Sequence, residues 1–197
     1  MVEDNTGRIE KLENQVRLSF SPEARAELES KHWRFIPLSE GQVINLPSGE
    51  QTEFWKRWAK DWPDPDDLSK QFSEVAITSD FILKDTLNKF PEEQRRILAK
   101  RNAENKEKGY VEVEGGALDY AKIASAVYEG SGEEGENLFS EDKITGTKTR
   151  IDRSRVYLGG PKGPLQHGFD YNYLSEKCGL APIAVPLPPQ NPTPARV

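Results

Sequence analysis

Apolar and polar positions follow a helical rhythm at the centre of the chain, in Glu53-Phe54-Trp55-Lys56-Arg57-Trp58-Ala59-Lys60-Asp61-Trp62. Steps of three and then four residues put Trp55, Trp58 and Trp62 on one helix face, with Lys56, Arg57 and Lys60 turned away. Ser48 and Gln51 have capping-box spacing ahead of it. Pro63 stops the helix, and Asp64-Pro65 is read as a new start, with Leu68, Phe72 and Val75 as its apolar stripe. Thr78-Ser79-Asp80 opens another segment, with Phe81, Ile82, Leu83 and Leu87 as buried candidates. Phe90-Pro91-Glu92-Glu93 begins a third, in which Ile97 and Leu98 face inward. Residues 50–108 thus form a helical centre of short amphipathic pieces.

The flanks read differently. Gln15 to Phe20 alternates as a half-buried strand does, although Ile9, Leu12 and Val16 also fit a helical stripe. Ser21-Pro22-Glu23 combines a capping hydroxyl, a first-turn proline and an acid at the positive helix end, so a helix runs to about Lys31. His32 to Ile36 and Gln42 to Leu46 are β-prone, and Ser39-Glu40-Gly41 is placed to close a hairpin between them. Pro37 cannot donate to a ladder, which assigns the first of these strands to a sheet edge.

Tyr110-Val111-Glu112-Val113-Glu114 alternates cleanly as a strand. A helix follows from Leu118 to Tyr128, then a Gly- and Glu-rich loop. Arg150 to Leu158 is β-prone and leads into Gly159-Gly160-Pro161-Lys162-Gly163-Pro164. The proline-dense end, from Pro182 on, reads as polyproline II or unstructured chain.

These elements predict an α+β fold, with short helices on a small, mostly antiparallel sheet. Its strands come from near Val16, Phe35, Ile44, Val113 and Val156. The expected organisation is a flexible N-terminus at 1–8, one domain at 9–181 and a proline-rich tail at 182–197.

One resemblance is visible. Thr86-Leu87-Asn88-Lys89-Phe90-Pro91-Glu92-Glu93-Gln94-Arg95-Arg96-Ile97-Leu98 resembles the opening of the DNA-binding region 4 of bacterial sigma factors. Leu118-Asp119-Tyr120-Ala121-Lys122-Ile123-Ala124 is similar to the first helix of that region's helix-turn-helix. The resemblance implies a basic recognition helix next. Glu133, Glu134, Glu136, Glu141 and Asp142 stand there instead and repel phosphate, so the shared residues read as helix-capping chemistry.

Charge and composition narrow the function classes. The 197 residues are 35% hydrophobic and 30% charged, with a net charge of −6, and the mean hydropathy is −0.75. The negative balance disfavours nucleic acid and anionic membranes as partners. No run approaches the ~20 apolar residues of a membrane helix. The acidic first residues do not form a signal peptide. The one cysteine, Cys178, excludes an internal disulfide and points to a reducing compartment. The expected location is the cytoplasm or a viral particle.

Catalytic patterns are sparse. With only His32 and His167 in the chain, a zinc centre has few ligands to draw on, and no metal or cofactor is expected. No nucleophile elbow, Walker or dinucleotide pattern occurs. The basic strand bearing Arg150, Arg153 and Arg155, with Gly159, Gly160 and Lys162 in the following loop, has the chemistry of an anion site. His167 is the general acid or base such a site would use. Trp55, at the edge of the tryptophan stripe, is the aromatic candidate for a docking surface. The leading expectation is a non-enzymatic interaction or assembly protein that binds protein partners or further copies of itself. A small enzyme or anion-binding protein built on the basic strand is the alternative, and a transcription-related regulator a weaker one.

Overall fold

The computed structural model describes residues 17–46, 49–61, 67–130, 144–151, 154–158 and 178–188, with the side chains of residues 50, 51, 150, 151, 154 and 155 outside that description. The fold is α+β: among the described residues there are five α-helices and two mostly antiparallel sheets.

α1 (Pro22–Ser30) starts as its sequence dictates. Ser21 Oγ accepts the Ala24 N–H at 3.2 Å, and Pro22 occupies the first turn. β1 (Trp33–Pro37) follows. α2 (Gly49–Asp61) carries the aromatic stripe, and Trp55 and Trp58 are buried in the main core with Phe54 packed against them. Trp62 lies outside the described residues, as do Ser48 and Asp64.

The helix expected to carry Leu68, Phe72 and Val75 is cut short. α3 (Leu68–Gln71) is one turn, capped by Asp67, and the chain then extends as β2 (Glu74–Thr78). Val75, Ala76 and Ile77 are all buried. A run with β-branched residues apolar on both sides suits an inner strand better than a helix with one wet face. The segment after Thr78 is likewise turns and a short 3₁₀ stretch, Lys84–Thr86.

α4 (Pro91–Asn105) begins as expected, with Glu93 reaching back to accept the Phe90 N–H at 3.1 Å. A 3₁₀ turn ends at Gly109, whose φ of 83° favours glycine. β3 (Tyr110–Glu114) and α5 (Ala117–Gly130) match the sequence reading. β4 (Ile144–Ile151), β5 (Ser154–Leu158), β6 (Cys178–Gly179) and β7 (Pro182–Pro186) complete the chain.

One sheet has four strands in the order β1-β2-β7-β3, all antiparallel neighbours. Two expectations are corrected here. Gln42 to Leu46 forms no strand: Asn45 N–H is held by Ser125 Oγ at 2.8 Å and Gln42 Nε2 by the Lys122 carbonyl, so that segment runs over α5. The strand beside β1 is β2 instead. The start of the expected tail is the second correction. Pro182–Pro186 is an inner, fully buried strand. The prolines stand only at its ends, leaving Ile183, Ala184 and Val185 as an ordinary β-run between them. Residues 189–197, like 1–16, lie outside the described set.

α1 crosses one face of this sheet, where Ala24 and Leu28 meet Trp33, Ala76, Tyr110 and Ala184. The main core covers the other face, with Ile36, Val75, Ile77, Ile183 and Val185 against α2 and α5. The second sheet has the order β5-β4-β6. The segment leading into β7 fastens it to the first: Ala181 N–H donates to Thr145 Oγ1 at 3.0 Å, and Leu180 N–H to Thr86 Oγ1 at 2.8 Å.

Candidate functional site

A four-stranded sheet has two outer edges, and here they are treated differently. In an antiparallel ladder the N–H and C=O of one residue point to the same side and alternate along the strand. On β3, the Glu112 N–H donates to Asn102 Oδ1 at 2.7 Å, and Asn102 Nδ2 donates to the Glu112 carbonyl at 2.7 Å. Glu112 therefore faces outward, and its opposite number on β7, Ala184, faces β2. Pro182 and Pro186 share the parity of Ala184, so neither withholds a donor from β3. The missing donors fall on the β2 side, where the ladder spans only Ala76↔Ala184 and Ile77↔Ile183.

The same alternation carries to β1. Ala76 bonds toward β7, so its opposite residue Phe35 turns its N–H and C=O away from the sheet. Leu38 N–H donating to the Ser73 carbonyl at 2.9 Å fixes the same parity independently. Trp33, Phe35 and Pro37 thus form the outer edge, while Arg34 and Ile36 bond inward. Among the described residues nothing meets the outward N–H and C=O of Phe35. Arg34 and Pro37 are exposed and Phe35 is half-buried. The Phe35 ring is held by Phe20 edge-on at 5.4 Å and by the Arg25 guanidinium at 4.0 Å. Glu74 pairs with Arg25 in turn.

β3 is closed by more than Asn102. The Glu112 carboxylate is buried under α4, where it accepts from Arg101 Nε at 2.7 Å, Arg101 Nη2 at 2.8 Å and Asn105 Nδ2 at 2.9 Å. These bonds to Glu112 raise the Arg101 pKa against the opposing effect of burial.

Other buried charged groups are also tied into the scaffold. Lys122 Nζ lies 2.6 Å from Asp67 Oδ2 and 2.9 Å from Ser69 Oγ. Burial pushes the Asp67 carboxyl up, but bonds from Lys122 and Ser69 outweigh it and leave it below its ordinary value. Asp119 accepts the backbone N–H of Leu68 at 2.9 Å and of Gly116 at 2.7 Å. Such groups fix loops and helix starts. A shallow cleft of about 340 Å³ lies where α1 begins, lined by Ser21, Glu23, Lys106, Lys108, Gly109 and Leu187. It mixes both charge signs. Among the described residues no group of three His, Cys, Asp or Glu is placed to hold a metal ion.

The residues singled out from sequence divide sharply. Trp55 is fully buried, so it belongs to the core and not to a docking surface. Its face of α2 turns toward α5, which the stripe alone did not reveal. Arg150 and Arg155 are directly opposite on β4 and β5, with side chains outside the described set. Arg153, Gly159, Gly160, Lys162 and His167 lie outside the described residues. Of the residues that resemble sigma-factor region 4, Leu118 to Ala124 lie in α5, which is buried along most of its length, and the segment where a recognition helix would follow, 131–143, lies outside the described residues. The Phe35 edge was missed as a site, yet its signal was present in Pro37. No helix among the described residues is long and apolar enough to cross a membrane.

Compared with protein-family models, curated proteins and solved structures, the chain matches none of them.

Proposed function

We propose that this chain is a non-enzymatic interaction or assembly protein that docks by strand addition at the outer edge of β1. The observation that carries the reading is the asymmetry of the four-stranded sheet. One edge is sealed by Asn102 and α4, while at the other no described residue meets the outward N–H and C=O of the half-buried Phe35. Exposed strand edges are a liability in a protein with no use for them, and they serve as docking rails in proteins that add a strand from a partner. The interior supports the same reading: Glu112, Asp67, Lys122 and Asp119 spend their charge on scaffold contacts.

Affinity capture from the native source under gentle conditions tests it. The expected result is stoichiometric recovery of partner chains or further copies, lost when Phe35→Pro removes the outward donor. Recovery of the wild-type chain alone contradicts the proposal.

A further inference from the structure

Building on strand addition at β1, we infer that the occupant of this edge is β1 of a second copy, running antiparallel and centred on Phe35.

The edge is self-complementary in that register. Phe35 of each copy exchanges both backbone bonds with Phe35 of the other. Each Trp33 N–H reaches the Pro37 carbonyl of the second copy. The donor that Pro37 lacks is then missing only at the strand ends, and no two prolines meet. Side chains match as well: Trp33 lies opposite Pro37, the two Phe35 rings lie together, and Arg34 lies opposite Ile36, so no like charges face each other directly.

The ends of β1 enforce this register. His32, with φ of 60°, breaks the extended run before Trp33, and Pro37 closes it. A long partner strand would overrun both, whereas a second β1 has the same length and the same stops. Charge favours the antiparallel sense, because the start of β1 stays basic, with Lys31 and Lys108 sharing the single carboxylate of Glu27 and Arg34 beside them, while the exposed Glu40 lies beyond its end. Each basic start then lies on the same side of the pair as the acidic end of the other copy. The pairing is twofold symmetric, the commonest form of soluble homo-oligomer.

Sedimentation equilibrium with residue-resolved amide exchange on the full chain tests the inference. A reversible dimer is expected, in which Phe35 N–H protection appears with dimer and fades on dilution. Phe35→Ala keeps the donor and loses the ring, while Phe35→Pro loses both. The dissociation constant of Phe35→Pro is expected to exceed that of Phe35→Ala by at least tenfold. Wild-type exchange at Phe35 decides the matter if Phe35→Pro fails to fold. A chain that stays monomeric while an added (Thr-Val)4 peptide protects Phe35 overturns self-pairing and leaves strand docking intact. A dimer, or a monomer with peptide, in which Phe35 exchange never changes overturns both.

Discussion

Asn102 grips Glu112 by its backbone: the side-chain amide gives to the Glu112 carbonyl and takes the Glu112 N–H, each at 2.7 Å. One side chain thereby acts as a short stretch of neighbouring strand at the outer edge of β3. Phe35, at the corresponding position on the opposite edge, has no such cover among the described residues.

Removing the cover exposes a second edge. Asn102→Ala leaves two backbone groups unpaired beside a buried carboxylate and is expected to cost about 2 kcal/mol. Asn102→Asp keeps the acceptor but sets a carboxylate oxygen against the Glu112 carbonyl and a second negative charge beside the buried carboxylate, so it is expected to cost at least as much. Urea unfolding measures the cost, and light scattering should show new self-association in Asn102→Ala alone.

The carboxylate beneath that edge is the more demanding group. Glu112 is 1% exposed and depends on Arg101 and Asn105. Arg101→Ala strands the charge and is expected to cost about 3 kcal/mol. The double variant Arg101→Met/Glu112→Leu should recover much of that loss, because an apolar pair leaves no buried charge behind. Thermal unfolding of the single and double variants checks both values.

Acid should loosen the molecule at identifiable points. Lys108 and Lys31 hold the Glu27 carboxyl down to about 2 from an ordinary 4.5. The folded value is the depressed one, so the contribution of Glu27 is complete above about pH 4.5 and disappears as pH falls toward 2. Asp67, also lowered, acts in the same sense. In Lys122→Met the Asp67 carboxyl loses its ammonium partner, and burial, which pushes it up, then acts against a weaker opposition. The acid unfolding midpoint is expected to move to higher pH, measured by circular dichroism across an acid titration.

Gly179 closes the seam between the sheets. A Cβ there would stand 2.5 Å from Ile82 Cγ2 and 3.0 Å from Thr86 Oγ1, and Thr86 Oγ1 is already bonded to the Leu180 N–H. Gly179→Ala is therefore expected to destabilise by about 2 kcal/mol through overpacking. Gly41→Ala is its control, since a Cβ there meets nothing within 4 Å, although its φ of 71° adds backbone strain. Denaturant midpoints of the two variants compare crowding with strain.

Much of this architecture is legible from local signals. Ser21-Pro22 starts α1, Pro91 with Glu93 starts α4, and the alternation at Tyr110 to Glu114 marks β3, because capping and period-two burial are short-range physics. The errors lie where tertiary context outweighs them. Val75 to Ile77 can complete a helical stripe after Leu68 and Phe72, and only burial on both sides makes it a strand. Pro182 and Pro186 forbid regular structure on composition alone. They are harmless in β7 because both present their missing donor on the same side, beyond a short ladder to β2. Trp55 has the spacing of a stripe edge, but nothing local tells which elements will cover it. Pro37 did mark β1 as an edge; that the other edge is sealed depends on Asn102 and Glu112 meeting in space.

Amide exchange at Phe35 in the dilute chain tests the open edge most directly. Its N–H is expected to exchange orders of magnitude faster than that of Ala76, which faces β7, and to slow when the chain is concentrated. A Phe35 amide as protected as Ala76 at every dilution would show that the edge is already covered and would contradict docking there.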